Sequence, residues 1–150
     1  MNKILIVIGS KSDKEKATKH IQILEELGLE YSLEIASAHR NPKRVEELSS
    51  TAHEKGYSII IAGAGLAAAL PGAVAAHTFL PVIGVPISAG SLNGMDSLYS
   101  IVQMPSGVPV GSMGIDNFKN AFIYAAQILG VHNATILEKL KKFKTKLSEN

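Results

Sequence analysis

At 150 residues the chain is long enough to bury one substantial core, and its 46% hydrophobic content is that of a globular protein, not a disordered one. The formal net charge is only +2 and the lysines are not interleaved with aromatics, so nothing points to nucleic acid. There is no cysteine, which excludes disulfides and thiolate chemistry.

Met1-Asn2-Lys3 leads directly into Ile4-Leu5-Ile6-Val7-Ile8, an apolar run that ends at Gly9-Ser10. That run is too short for the apolar region of a signal peptide. Nowhere do about 18 apolar residues follow one another, so no membrane-spanning helix is expected and the default is a soluble cytoplasmic protein. Lys3 to Ile8, β-branched and continuously apolar, suits a strand buried on both faces of a parallel sheet. A helical pattern follows from Ser12 to about Leu27, with Ala17, Ile21, Leu24 and Leu27 on one face. Ser12 and Glu15 have capping-box spacing, and Gly28 is placed to end the helix.

A short second strand, roughly Tyr31 to Ala36, runs into Ser37-Ala38-His39-Arg40-Asn41-Pro42. Asn41 and Pro42 predict a helix start, and the helix carries Val45, Leu48 and Ala52 to an end near Gly56. The third strand, Tyr57 to Ala62, leads into Gly63-Ala64-Gly65-Leu66-Ala67-Ala68-Ala69-Leu70-Pro71-Gly72 and then a small-residue helix to about Thr78, which Pro71 starts or kinks. Pro81 to Val85 is a fourth strand and Met95 to Val102 a helix. Gln103 to Val110 is a loop feeding a short fifth strand that ends by Gly114. Asn117 to Leu129 is helical with Ala121, Ala125 and Ile128 inward, and a last helix from about Ala134 to Leu147 carries Ile136, Leu140, Phe143 and Leu147 as a stripe. The lysines between Lys139 and Lys146 form its solvated face, and the stripe is free to pack on this chain or on another subunit.

Strand and helix thus alternate about five times with short connectors. This predicts an α/β fold, a three-layer αβα sandwich around a doubly wound parallel sheet of about five strands, flavodoxin- or Rossmann-like, with an extra C-terminal helix. Without a linker or repeat, residues 1–150 are expected to form one domain.

Ligands of such sheets bind at the carboxyl ends of the strands. Three loops there are rich in small or polar residues. Ser37-Ala38-His39-Arg40 puts a hydroxyl, an imidazole and a guanidinium beside a positive helix end, which suits a phosphorylated small molecule. The plainer alternative is a polar turn that caps a helix. Gly9 to Asp13 offers backbone N–H groups, the Ser10 and Ser12 hydroxyls and the Asp13 carboxylate, for phosphate and sugar or for ordinary capping. Gly63-Ala64-Gly65-Leu66-Ala67-Ala68 matches a dinucleotide-binding glycine pattern only formally, because no acidic residue follows at the needed spacing. The better reading is close approach of backbone N–H groups to a carboxylate or to carbon dioxide. His20, His53, His77 and His132 fall in or beside helices without metal-ligand spacing, so no metal site is expected. His39 alone sits in a ligand-facing loop, and an imidazole is the side chain best suited to move protons near neutral pH.

Six motifs occur in the order found in one known family: residues 9–13 (Gly-Ser-Lys-Ser-Asp), 37–42 (Ser-Ala-His-Arg-Asn-Pro), 62–68 (Ala-Gly-Ala-Gly-Leu-Ala-Ala), 70–72 (Leu-Pro-Gly), 84–86 (Gly-Val-Pro), and the run from Asp96 through Gln103-Met104-Pro105 to Val110. Across about residues 3 to 130 the chain resembles N5-carboxyaminoimidazole ribonucleotide mutases of de novo purine synthesis, more than the related carboxylases that take free carbon dioxide. The resemblance implies an isomerase that moves a carboxyl group from the exocyclic nitrogen to ring carbon 4, with no metal or organic cofactor. It implies His39 as general acid/base, and Ser10, Ser12, Asp13, Ser37, Arg40 and residues Gly63, Ala64, Gly65 and Leu66 around the phosphorylated imidazole ribonucleotide, in a homo-octamer. One departure stands out. The family usually has a histidine just before Leu-Pro-Gly, and here that position is Ala69; Leu66 stands where a glycine is usual. Two other readings therefore stay open from sequence: a direct carboxylase of the same ribonucleotide, or a ribonucleotide-binding protein with little or no catalysis.

Overall fold

The computed structural model describes residues 3–149; Met1, Asn2 and Asn150, which complete the expected 1–150 domain, lie outside the described residues. Five parallel strands form one sheet in the order β2-β1-β3-β4-β5: β1 Lys3–Ile8, β2 Glu30–Ile35, β3 Tyr57–Gly65, β4 Val82–Ile87 and β5 Gly111–Ser112. Side chains alternate across a strand, and β1 shows the consequence directly. Ile4, Ile6 and Ile8 enter one core while Leu5 and Val7 enter the other. The first core is closed by α1 (Lys14–Thr18), α2 (Gln22–Glu26), α6 (Phe118–Gly130) and α7 (Ala134–Ser148). The second is closed by α3 (Pro42–Ser50), α4 (Leu70–Ala76) and α5 (Met95–Val102). The result is the expected three-layer sandwich. Among the described residues no helix is long and apolar enough to cross a membrane.

The expected single helix from Ser12 to Leu27 is instead a one-turn 3-10 segment, Lys11–Asp13, followed by α1 and α2. Thr18 donates its hydroxyl to the Lys14 carbonyl at 2.9 Å, a back-bond that bends helices. Beyond it, Ile21, Ile23 and Leu24 donate to carbonyls three residues back, so the chain tightens as it enters α2. The apolar face survives the break, with Ala17, Leu24 and Leu27 buried. The capping box does not form: Ser12 pairs with the Ser10 hydroxyl and makes no capping bond to the helix. Gly28 does end α2. At φ +77° it sits in the left-handed region, and Gly28 and Leu29 donate to the carbonyls of Glu25 and Leu24.

β3 runs three residues past the expected end, through Gly63-Ala64-Gly65, paired with Val85-Pro86-Ile87 of β4. Gly63 is a glycine because of packing: a β-carbon there would fall 2.5 Å from Phe118 Cζ. Pro86 extends β4 equally without loss. Its carbonyl faces the β5 side, accepting from Asp116 N–H, and the β5 ladder has already ended at Gly84 and Ser112. The last helix stays with its own chain at its start, where Ile136 and Leu140 are buried against α6, whereas Leu147 is exposed.

Candidate active site

In a 2-1-3-4-5 sheet the strand order reverses between β1 and β3, and the crevice beyond their carboxyl ends is the natural ligand site. A cavity of about 850 Å³ lies there. Three chain segments line it, Gly9–Asp13 after β1, Ile35–Asn41 at the end of β2, and Ala64–Leu70 at the end of β3, joined by Ala89 after β4. Ser10, Ser12, Asp13, Ser37, His39, Arg40, Ala64, Gly65 and Leu66 are all among the lining residues. Gly63 is not. It lies one layer down, where its carbonyl accepts from Gly9 N–H and so ties the first loop to the third.

Each loop is held by its own hydrogen bonds. The Ser10 hydroxyl donates to Asp13 Oδ2 at 3.0 Å and stands 2.6 Å from the Ser12 hydroxyl, which turns all three polar groups onto one rim. Ser37 closes the second loop: its hydroxyl accepts from Arg40 N–H at 3.2 Å and its carbonyl from Asn41 N–H at 2.8 Å. Asn41 then caps α3 by accepting from Arg44 N–H, with Pro42 in the first turn. His39 and Arg40 are thereby presented on the tip of the turn, both exposed. Arg44 is taken up by Glu47 and Glu34, whose hydrogen bonds and charges raise its pKa. Arg40 has no ion-pair partner among the described residues. It is the guanidinium facing the cavity.

The third loop supplies an apolar wall. Leu66 adopts φ +55°, a left-handed conformation that costs a side-chain-bearing residue about 1 kcal/mol or more. From there its Cδ2 reaches toward Gly90, where an added β-carbon would lie 3.0 Å away. Ala69 is exposed and presents a methyl group to the cavity. His39 is the one imidazole among the lining residues; His20, His53, His77 and His132 are elsewhere. Among the described residues no group of three or more His, Asp or Glu could hold a metal ion.

Ile35, Ala36, Asn41, Ala69, Leu70 and Ala89 also line the cavity, outside the three loops that the sequence marks for binding. Beside the Ala89 wall stands a polar cluster that no local motif announces. Lys16 Nζ donates to the Ser88 carbonyl at 2.9 Å, the Ser88 hydroxyl at 2.6 Å and both Asp116 oxygens at 3.1 Å. Ser88 in turn donates its N–H and its hydroxyl to Asp116. Burial alone would raise the Asp116 carboxyl, but the hydrogen bonds from Ser88 and Lys16 and the Lys16 charge outweigh it and hold the group below its ordinary value.

Comparison with known proteins fits this geometry. The sequence pattern of the family described as AIR carboxylase matches residues 3–150. The chain belongs to the AIR carboxylase family. As a member it is 51% identical over 147 residues to the N5-carboxyaminoimidazole ribonucleotide mutase of Thermotoga maritima, covering 98% of this chain and 86% of that one. To the mutase of the same name from Pyrococcus abyssi it is 50% identical over 144 residues, 96% of this chain and 83% of the relative. Among solved structures, the crystal structure of Treponema denticola PurE superposes with a TM-score of 0.86 at 28% identity, covering 98% of this chain and 92% of that one. The AIR carboxylase fold therefore extends over the sheet and the helices that place the three loops.

Proposed function

We propose that this chain is an N5-carboxyaminoimidazole ribonucleotide mutase, an isomerase of purine biosynthesis. The observation that carries the reading is the cavity at the β1/β3 switch point, lined by His39, Arg40, Ser10 and Asp13, in a member of the AIR carboxylase family.

The chemistry needs one proton donor that becomes an acceptor. In the first step the bond between the exocyclic nitrogen and the carboxyl carbon breaks. The electron pair stays on nitrogen, which takes a proton from His39, and carbon dioxide is released inside the cavity. Ring carbon 4, made nucleophilic by the adjacent amine, then attacks carbon dioxide. Loss of the carbon 4 proton to the now neutral His39 restores the aromatic ring and the starting protonation state. The net change is an isomerisation. An apolar wall of Leu66 and Ala67 to Ala69 suits retention of an uncharged gas molecule between the two steps.

Binding falls to the other loops in this reading. Arg40 takes the phosphate, since a guanidinium is a charged, bidentate partner for it. The Ser10–Ser12–Asp13 rim takes the ribose side, and the backbone of Ala64 to Leu66 lies by the carboxylate. Replacing Arg40 by Met is expected to raise KM about thirtyfold, roughly 2 kcal/mol, with kcat little changed. Steady-state kinetics decide this, and a KM shift below about threefold would remove Arg40 from the phosphate site. The reading itself is tested by incubating the purified chain with the carbamate ribonucleotide and following the C4-carboxylated isomer by chromatography. Conversion above the uncatalysed rate is expected, and none would defeat it.

We also propose the octameric assembly that the family resemblance implies. Phe79 is 107% exposed beside an apolar groove that Tyr124 and Pro109 also line, a face that water covers poorly. Light scattering should give the mass of an octamer of the 15.9 kDa chain, and a monomeric mass would contradict it.

A further inference from the structure

We propose that Lys16 is a positioning residue for substrate binding, acting as a clamp that fixes one wall of the cavity against another. The inference rests on the mutase reading above and adds a residue that does not itself line the cavity.

Lys16 lies three residues beyond Asp13, so it projects from the same first helical turn that ends the Ser10–Asp13 rim. Its ammonium reaches Ser88, 72 residues away, and Asp116, 100 residues away. Three chain segments meet at this one nitrogen: the start of α1, the loop after β4 and the loop after β5. Ser88 adjoins Ala89, the only lining residue from the β4 side. The clamp therefore sets the distance between the Ser12–Asp13 rim and the Ala89 wall.

Two features show that the far end of the clamp is fixed. Asp116 holds φ +58°, a conformation uncommon outside glycine, while its N–H donates to Pro86 of β4 at 2.8 Å. Its carboxylate is filled by Ser88 N–H, Ser88 Oγ–H and Lys16 together. Strain of this kind persists only where surrounding bonds over-determine it. The near end is equally committed, because Lys16 has four acceptors for three N–H donors.

The clamp anchors the Ser10–Asp13 rim, which the mutase reading gives to the ribose, and leaves alone the β2–α3 turn that carries His39 and Arg40. Losing it should therefore weaken substrate and transition state alike, which raises KM and spares kcat. The test is Lys16→Met, which keeps the apolar stem and removes the ammonium. Expected are a KM for the carbamate ribonucleotide raised about tenfold and a kcat within about twofold of the parent. Faster hydrogen exchange at the amides of residues 12–14 and 88–90 is expected as well, with Lys16→Arg restoring both readouts. Ser88→Ala removes one arm of the clamp and carries the same test if Lys16→Met does not fold. A folded variant with unchanged KM overturns the inference, as does a loss confined to kcat. A parent enzyme silent on the carbamate defeats the mutase reading, and the inference with it.

Discussion

His39→Asn is expected to lower turnover of the carbamate ribonucleotide about 10³-fold, some 4 kcal/mol of transition-state stabilisation, while the ribonucleotide still binds within about tenfold of the parent affinity. The split follows from where His39 stands. It is exposed on a turn whose backbone is closed by Ser37 and Asn41, so exchanging its side chain leaves the loop's hydrogen bonds in place. Asparagine keeps polarity and approximate size but cannot donate and then regain a proton in this range. No second imidazole lines the cavity to take over, and Ala69 offers only a methyl group. Calorimetric titration with the ribonucleotide, set beside turnover, separates the two effects. Undiminished turnover in a folded His39→Asn enzyme would end the acid/base assignment.

Phe118→Ala is expected to be the most damaging single truncation for stability. Phe118 is fully buried, its ring centroid lies 6.2 Å from that of Phe122, and its edge occupies the space that a β-carbon on Gly63 would need. Removing the ring leaves a cavity under the end of β3 that neither a glycine nor the stiff sheet can fill. Losses of about 3–5 kcal/mol are typical for such a change. For a chain of this length that is a fall in Tm of roughly 10 °C. Because Gly63 ties to Gly9 through its carbonyl, looser packing there should also reach the cavity floor. Thermal unfolding by circular dichroism checks this, and a shift under about 3 °C would mean the site collapses around the void.

What the sequence made legible is what local chemistry decides. Asn41 and Pro42 announce α3 because capping and a fixed φ act within one turn, and Met95–Val102, helical in the sequence reading, is α5. The alternation of apolar runs with helical patterns specified the parallel sheet and its three layers. The loops at the strand ends follow from that topology, and the polar residues they carry, Ser10, Ser12, Asp13, Ser37, His39 and Arg40, line the cavity. What escaped depends on partners far along the chain. Gly63 reads as loop backbone offered to a ligand until Phe118, far along the sequence, is seen beside it. Lys16, Ser88 and Asp116 are unremarkable singly and form a cluster only when α1 meets the loops after β4 and β5. The break at Thr18 has a local cause, a hydroxyl bond to Lys14, but a helical apolar pattern is indifferent to it.

In the proposed reaction the carboxyl group travels within the site. This is tested most directly with ribonucleotide carrying carbon-13 in its carbamate carboxyl, turned over in buffer holding unlabelled bicarbonate. Product labelled at the C4 carboxylate is expected, while the solution pool stays unlabelled. Unlabelled product, or product formed from the decarboxylated ribonucleotide and bicarbonate at the same rate, would contradict transfer within the site.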